Sequence, residues 1–197
     1  MAKRERTNAE RLLRPWGSVT LTDITCQHSE PDRPWLEFGV WTGLSLRWMG
    51  VWTKNQVYGF DTFTGLPEDW LNPEGTVHRP KGTFPCDEVA TDFSHNVHTV
   101  VGRFQDTLPD WLKTHGQPFG FVHIDCDLYS STKFVLDQLE PYLDKTVIAL
   151  DEVRGKPTYD FNEGRAWREW LSKDQYEAVL LGNQHENGAI YKLHRSR

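Results

Sequence analysis

Cysteine is scarce in this chain, and what there is does not pair. Cys26, Cys86 and Cys126 are odd in number and scattered, with no C-x-x-C among them. That pattern argues against a zinc site and a disulfide framework, and free, buried thiols are the expectation. No apolar run approaches the roughly 18 residues of a membrane span, and the opening "MAKRERTNAER" lacks the apolar core of a secretory signal. A soluble, cytoplasmic protein with no membrane partner is therefore expected. Positive charge is not in excess either. A net charge of −6 and a pI near 5.7 speak against nucleic acid as a partner. Two glycine patterns are also missing. Without G-x-G-x-x-G a nicotinamide or flavin cofactor is disfavoured, and without G-x-x-x-x-G-K-[ST] so is nucleoside triphosphate hydrolysis.

What is present reads as one domain over residues 1–197, long enough for a substantial core, with no internal repeat, low-complexity tract or linker. Residues 1–33 form a polar leader or cap with one short helix at 8–14. Residues 62–95, with four prolines and three glycines, form a connection long enough to suggest a lid over an active site. Short apolar runs alternate with helix-like segments elsewhere. Strands are expected at 34–40, 56–61, 97–102, 119–125 and 146–153. Helices are expected at 44–52, 106–115, 130–143 and 163–172, with Ser130 or Ser131 capping the third, and 176–194 reads as two strands about a polar turn. This order gives an α/β, Rossmann-like doubly wound sheet of about seven strands, mostly parallel, with a C-terminal antiparallel hairpin. Ligands of such a sheet bind beyond the carboxyl ends of its strands.

Two groups of residues fall at those ends. The first strand closes in "EFGVWTG", giving Glu37-x-Gly39-x-x-x-Gly43. Glycines there permit a tight turn and close approach to a ligand, although such a turn is as often purely structural. Asp61 ends the second strand 22 residues after Gly39, where this architecture places an acid on ribose hydroxyls. Together they favour an adenosine-type ligand, with Phe104 and Gln105 of "GRFQDTLP" available to its ring. The second group is acidic. Asp125 and Asp127 lie in "FVHIDCDLYSST", and Asp151 and Glu152 end the fifth strand. If the fourth strand ran on through Asp127, both of its acids would point the same way. Hard oxygen donors without Cys or His suit Mg²⁺ or another divalent cation of that kind.

With these residues identified, the chain resembles the class I S-adenosylmethionine-dependent methyltransferases, and more narrowly the macrocin O-methyltransferase family. The segments that carry the resemblance are "EFGVWTGLS", "VYGFDTFTGLPEDW", "KGTF", "HIDCDLYSST" and "LDEV", with "EGRAWREWL" behind them. The resemblance implies the class I methyltransferase fold. It implies that Glu37, Gly39, Gly43, Ser45 and Asp61 line the S-adenosylmethionine site; Phe104, Gln105 and Asp125 are further candidates for contact with that cofactor. It implies that Asp125, Asp151 and Glu152 bind Mg²⁺, Glu152 standing where Asp or Asn is usual. Asp127 resembles the general base, since the lysine that catechol-type enzymes carry three residues after the first metal acid is here Leu128. The reaction so implied is direct displacement, in which the hydroxyl oxygen of a small-molecule acceptor gives up its proton and attacks the sulfonium methyl, with Lys81 or His78 of the long connection able to touch the acceptor. A homo-oligomer stays open. So does a methyltransferase for nucleic acid or protein nitrogen, although its N-P-P-[YFW] motif is missing, and so does a cofactor-binding module without catalysis.

Overall fold

The computed structural model describes residues 19–87, 89 and 92–196. The short helix expected at 8–14 lies outside them. Four short segments, β1 (Trp35–Phe38), β2 (Val57–Asp61), β6 (Phe121–Ile124) and β7 (Val147–Leu150), make the centre of the sheet. In β1, β6 and β7 every residue is buried, as near-continuous apolar runs must be when helices cover both faces of a parallel sheet. The remaining strands are β5 (Val97–Val101), β8 (Tyr176–Gly182) and β9 (Ala189–Arg195). The seven-stranded order is β5-β2-β1-β6-β7-β9-β8. The strands from β5 to β7 are parallel, and β9 and β8 run antiparallel as the closing hairpin. The chain winds outward from β1 through β2 to β5, then returns to the other side of β1 at β6. That reversal leaves a crevice beyond the carboxyl ends of β1 and β6, where ligands of such sheets bind.

Helices α1 (Val19–His28), α2 (Leu44–Trp52), α3 (Phe104–His115), α4 (Tyr129–Leu139), α5 (Pro157–Phe161) and α6 (Glu163–Leu171) complete the layers. Among the described residues two large apolar clusters form the core, with a smaller one of Leu66, Trp70, Leu128 and Tyr159 beside them. One large cluster centres on Phe38, Phe60, Ile124 and Leu136, the other on Trp35, Leu46, Met49 and Phe121. The expected elements are present, with local differences. Helix α4 stops at Leu139 and a short 3₁₀ turn, Glu140–Tyr142, follows, because Pro141 lacks the N–H and crowds the preceding turn. The helix begins behind Leu128 without a side-chain cap, so neither Ser130 nor Ser131 caps it; Ser130 Oγ instead donates to Glu68 at 2.5 Å. Of the three thiols only Cys126 is buried, Cys26 being exposed.

The long connection at 62–95 is more structured than its composition suggests. It contains a small antiparallel pair, β3 (Trp70–Leu71) with β4 (Val77–Arg79). Trp70 stacks against Tyr159 of α5 at 5.9 Å. Thr158 Oγ1 donates to Asn72 Oδ1 at 2.6 Å, and Asn162 Nδ2 donates to the Leu71 carbonyl at 2.9 Å. None of the described helices is long and apolar enough to cross a membrane.

Candidate active site

The turn from β1 into α2 depends on Gly39. Its φ is +90°, and a Cβ built on it would lie 1.7 Å from the Asp125 carbonyl oxygen. Only glycine lets this turn lie directly on the chain leaving β6. Gly43, at φ +80°, then serves as the N-cap of α2. Gly39→Ala combines a left-handed backbone cost of about 1–2 kcal/mol with a collision against backbone. It is expected to weaken binding of a ligand seated on this turn about tenfold or more, read by isothermal titration.

Asp61 acts on the same turn. Its Oδ2 accepts from the backbone N–H groups of Val40 and Trp41 at 2.7 and 2.8 Å, and its Oδ1 accepts from Phe63 at 2.8 Å. Trp41 and Phe63 both have positive φ, 48° and 57°. Such strain in non-glycine residues persists only where neighbours enforce it, and the Asp61 carboxylate is the neighbour that does. Three of its roughly four acceptor positions are thereby used, leaving about one open.

A cavity of about 250 Å³ opens over this turn. Gly39, Ser45, Asp61, Phe104, Gln105, Asp125, Asp127, Asp151 and Glu152, all singled out from the sequence, line it. Trp41, Leu66, Phe84 and Arg103 line it too and carried no sequence signal of their own. Trp41 and Phe84 face each other across 6.1 Å between ring centres, an apolar wall for a ring. Gly43 and Glu37 are not in the lining. Glu37 is fully buried behind it, its Oε1 2.9 Å from His123 Nδ1. His78 and Lys81 are also outside the lining. His78 packs edge-on against Trp70 at 4.8 Å, and the Lys81 N–H donates to Asp69 at 2.7 Å.

Strand β6 ends at Ile124, not at Asp127, so alternation along a strand does not align the two acids. Asp127 instead adopts φ +60°, a conformation Asp tolerates better than most residues, and this turn brings it to the cavity beside Asp125. The acids crowd. Burial, reinforced by Asp151 and Asp127, raises the Asp125 carboxyl well above its ordinary range. Burial with Asp151 and Asp61 pushes Asp127 up to about 7, Arg79 opposing them. Burial with Asp127 and Asp151 pushes Glu152 up to about 8. Glu163, fully buried on α6 and unnoticed in the sequence, is raised in the same way by burial, Asp151 and Glu152. Among the described residues no lysine or arginine forms an ion pair with any of these five acids.

Carboxylates crowded on one cavity, with no lysine or arginine paired to them, are a fit for a divalent cation. Asp125, Asp151 and His123 each have a donor atom within 4.8 Å of the others. Both His123 nitrogens already have protein partners, Glu37 and Gln184, so Asp125 and Asp151 are the open pair. Glu152 lines the same cavity without joining that trio, and its Oε2 is buried with no partner.

A doubly wound sheet of this order, with a glycine turn, a strand-end acid and a cavity at the switch point, has the architecture of the class I S-adenosylmethionine-dependent methyltransferases. The chain belongs to the methyltransferase-domain family, whose model matches residues 36–153. No curated protein sequence matches it. Among solved structures, the calicheamicin methyltransferase CalS11 superposes with a TM-score of 0.67 at 23% identity, over 94% of this chain and 82% of CalS11. An apo structure of CalS11, described as a TDP-rhamnose 3'-O-methyltransferase, gives 0.62 at 24%, over 94% and 83%. The O-methyltransferase from Bacillus cereus in complex with SAH gives 0.61 at 17%, over 95% and 87%. MycE of the mycinamycin pathway, in complex with Mg and SAH, gives 0.54 at 13%, over 89% of this chain and 45% of MycE. At these identities the likeness is one of fold.

Proposed function

We propose that this methyltransferase is divalent-metal-dependent and methylates a hydroxyl of a small molecule, such as a sugar or natural product, in the manner of the macrocin-type enzymes. The observation that carries the reading is the convergence of Asp125, Asp127, Asp151 and Glu152 on one cavity with the Gly39 turn. The O-methyltransferase descriptions of CalS11 and the Bacillus cereus enzyme, and the Mg bound to MycE, support it.

The roles divide by position. Gly39, Ser45 and Asp61 shape one end of the cavity for the cofactor, with Phe104 and Gln105 beside its adenine. Asp125, Asp151 and Glu152 would hold the cation, which when bound favours ionisation of an acceptor hydroxyl. Asp127 then accepts the hydroxyl proton. Its carboxyl, near 7 in the protein alone, has the affinity a general base needs near neutral pH. Trp41, with Leu66 and Phe84 of the long connection, walls the acceptor from water.

Mass spectrometry of sugar and phenol acceptors incubated with S-adenosylmethionine and Mg²⁺ tests the reading. A methylated acceptor that disappears with EDTA is expected. Turnover unchanged by EDTA would remove the metal from the mechanism, and methylation confined to nucleic acid or protein would remove the acceptor class.

A further inference from the structure

The turn joining β8 to β9 reads "NQHENG", residues 183–188, an ordinary polar hairpin connection. In the fold it closes around Asp151. Gly188 packs so tightly on the end of β7 that an added Cβ would lie 2.9 Å from the Leu150 oxygen and 3.0 Å from the Asp151 oxygen. The turn is anchored from the other side as well. The Val153 N–H donates to the Asn187 carbonyl at 3.1 Å, and Arg154 Nη2 donates to the Gly188 carbonyl at 3.0 Å. Gln184 and His185 are thus held against the acid.

Both donate to the same oxygen. Gln184 Nε2 and His185 Nε2 each lie 2.9 Å from Asp151 Oδ1. The direction of each bond follows from its neighbours. His185 Nδ1 accepts the Asn187 N–H at 3.2 Å, so the proton of a neutral His185 ring is on Nε2. Gln184 Nε2 is also 3.2 Å from His123 Nε2. Glu37 Oε1 faces His123 Nδ1, and in the neutral ring this holds the proton on Nδ1 and leaves Nε2 free to accept. The Gln184 amide therefore uses its two hydrogens on His123 and Asp151. Turned the other way, it would set its own oxygen against the Asp151 carboxylate. Glu37, His123, Gln184 and Asp151 are each at most 6% exposed, so bulk water competes little for the bonds among these four.

We infer that Gln184, oriented by the Glu37–His123 pair and assisted by His185, is a positioning residue that fixes Asp151 for a divalent cation. Two donors on Oδ1 lock the carboxylate rotamer and leave Oδ2 for the ion. This inference rests on the metal reading of the preceding section. It also gives Glu37 a task, since the residue lies behind the cavity wall and not in it. Partners of this kind around metal ligands are worth about 10- to 100-fold in metal affinity.

The test is Mn²⁺ binding, followed by electron paramagnetic resonance without acceptor or turnover, beside calorimetric titration with S-adenosylhomocysteine. Gln184→Leu should weaken Mn²⁺ by about 10- to 100-fold and leave S-adenosylhomocysteine affinity unchanged. His185→Phe, at a partly exposed position, should lower Mn²⁺ affinity less, and it provides the test if Gln184→Leu does not fold. Unchanged Mn²⁺ affinity in a folded variant, or an equal loss of both ligands, overturns the inference. A wild-type protein that takes no Mn²⁺ overturns the metal reading and this inference with it.

Discussion

Asp127→Asn should lower kcat by about 10²- to 10⁴-fold, the usual contribution of a general base, with Mn²⁺ and cofactor affinities unchanged. Asn has nearly the same shape and also tolerates left-handed backbone, so the turn at φ +60° survives the exchange. What is lost is the capacity to accept a proton. Wild-type kcat/KM should rise with pH as Asp127 deprotonates. A bound cation and the cofactor's sulfonium both favour the carboxylate, so that rise should lie at or below the value of about 7 set by the protein alone. Steady-state kinetics with Mn²⁺ titration of the variant separates the roles. Loss of metal affinity in Asp127→Asn would make this residue a ligand instead, and near-normal kcat would remove it from proton transfer.

The metal-free protein should be markedly less stable at about pH 8 than at about pH 5, and Mg²⁺ should abolish most of the difference. Asp127 and Glu152 titrate near 7 and near 8 in the folded protein, above their ordinary values of 3.8 and 4.5. Between the two sets of values the folded state holds protons that the unfolded chain has released, so stability falls as pH rises through that window. Together the two groups imply a deficit on the order of several kcal/mol, and each kcal/mol moves the melting point of a domain this size by about 2–4 °C. A cation that binds only the folded state reverses the effect by mass action, and it does so at high pH, where the carboxylates are ionised. Thermal melts at both pH values, with and without Mg²⁺, measure this. Asp151→Asn should reduce both the pH dependence and the rescue. A flat profile in the metal-free wild type would mean that the acids are not crowded as the geometry indicates.

The order of elements was legible in the chain because strand and helix periodicity is local. The runs WLEF, FVHI and VIAL are apolar enough to be buried on both faces, and the glycines and acids follow them at strand ends wherever the sheet is doubly wound. The acids themselves were legible for the same reason: Asp125 and Asp151 lie at the carboxyl ends of adjacent parallel strands, and that topology follows from the order of elements. Their environment was not. Asp127 reaches the cavity through a left-handed turn, not by strand alternation. Glu163 arrives from α6. Gln184 and His185, far along the chain in a turn with no distinguishing composition, reach Asp151 only because the antiparallel hairpin packs β9 against β7. Glu37 moves the other way, since its strand position sends its carboxylate under the cavity to His123. Sequence alone determined which residues end the strands, because backbone periodicity depends on near neighbours. Which side chains meet there was decided by tertiary packing, because burial forces each polar group to find a partner wherever in the chain one lies.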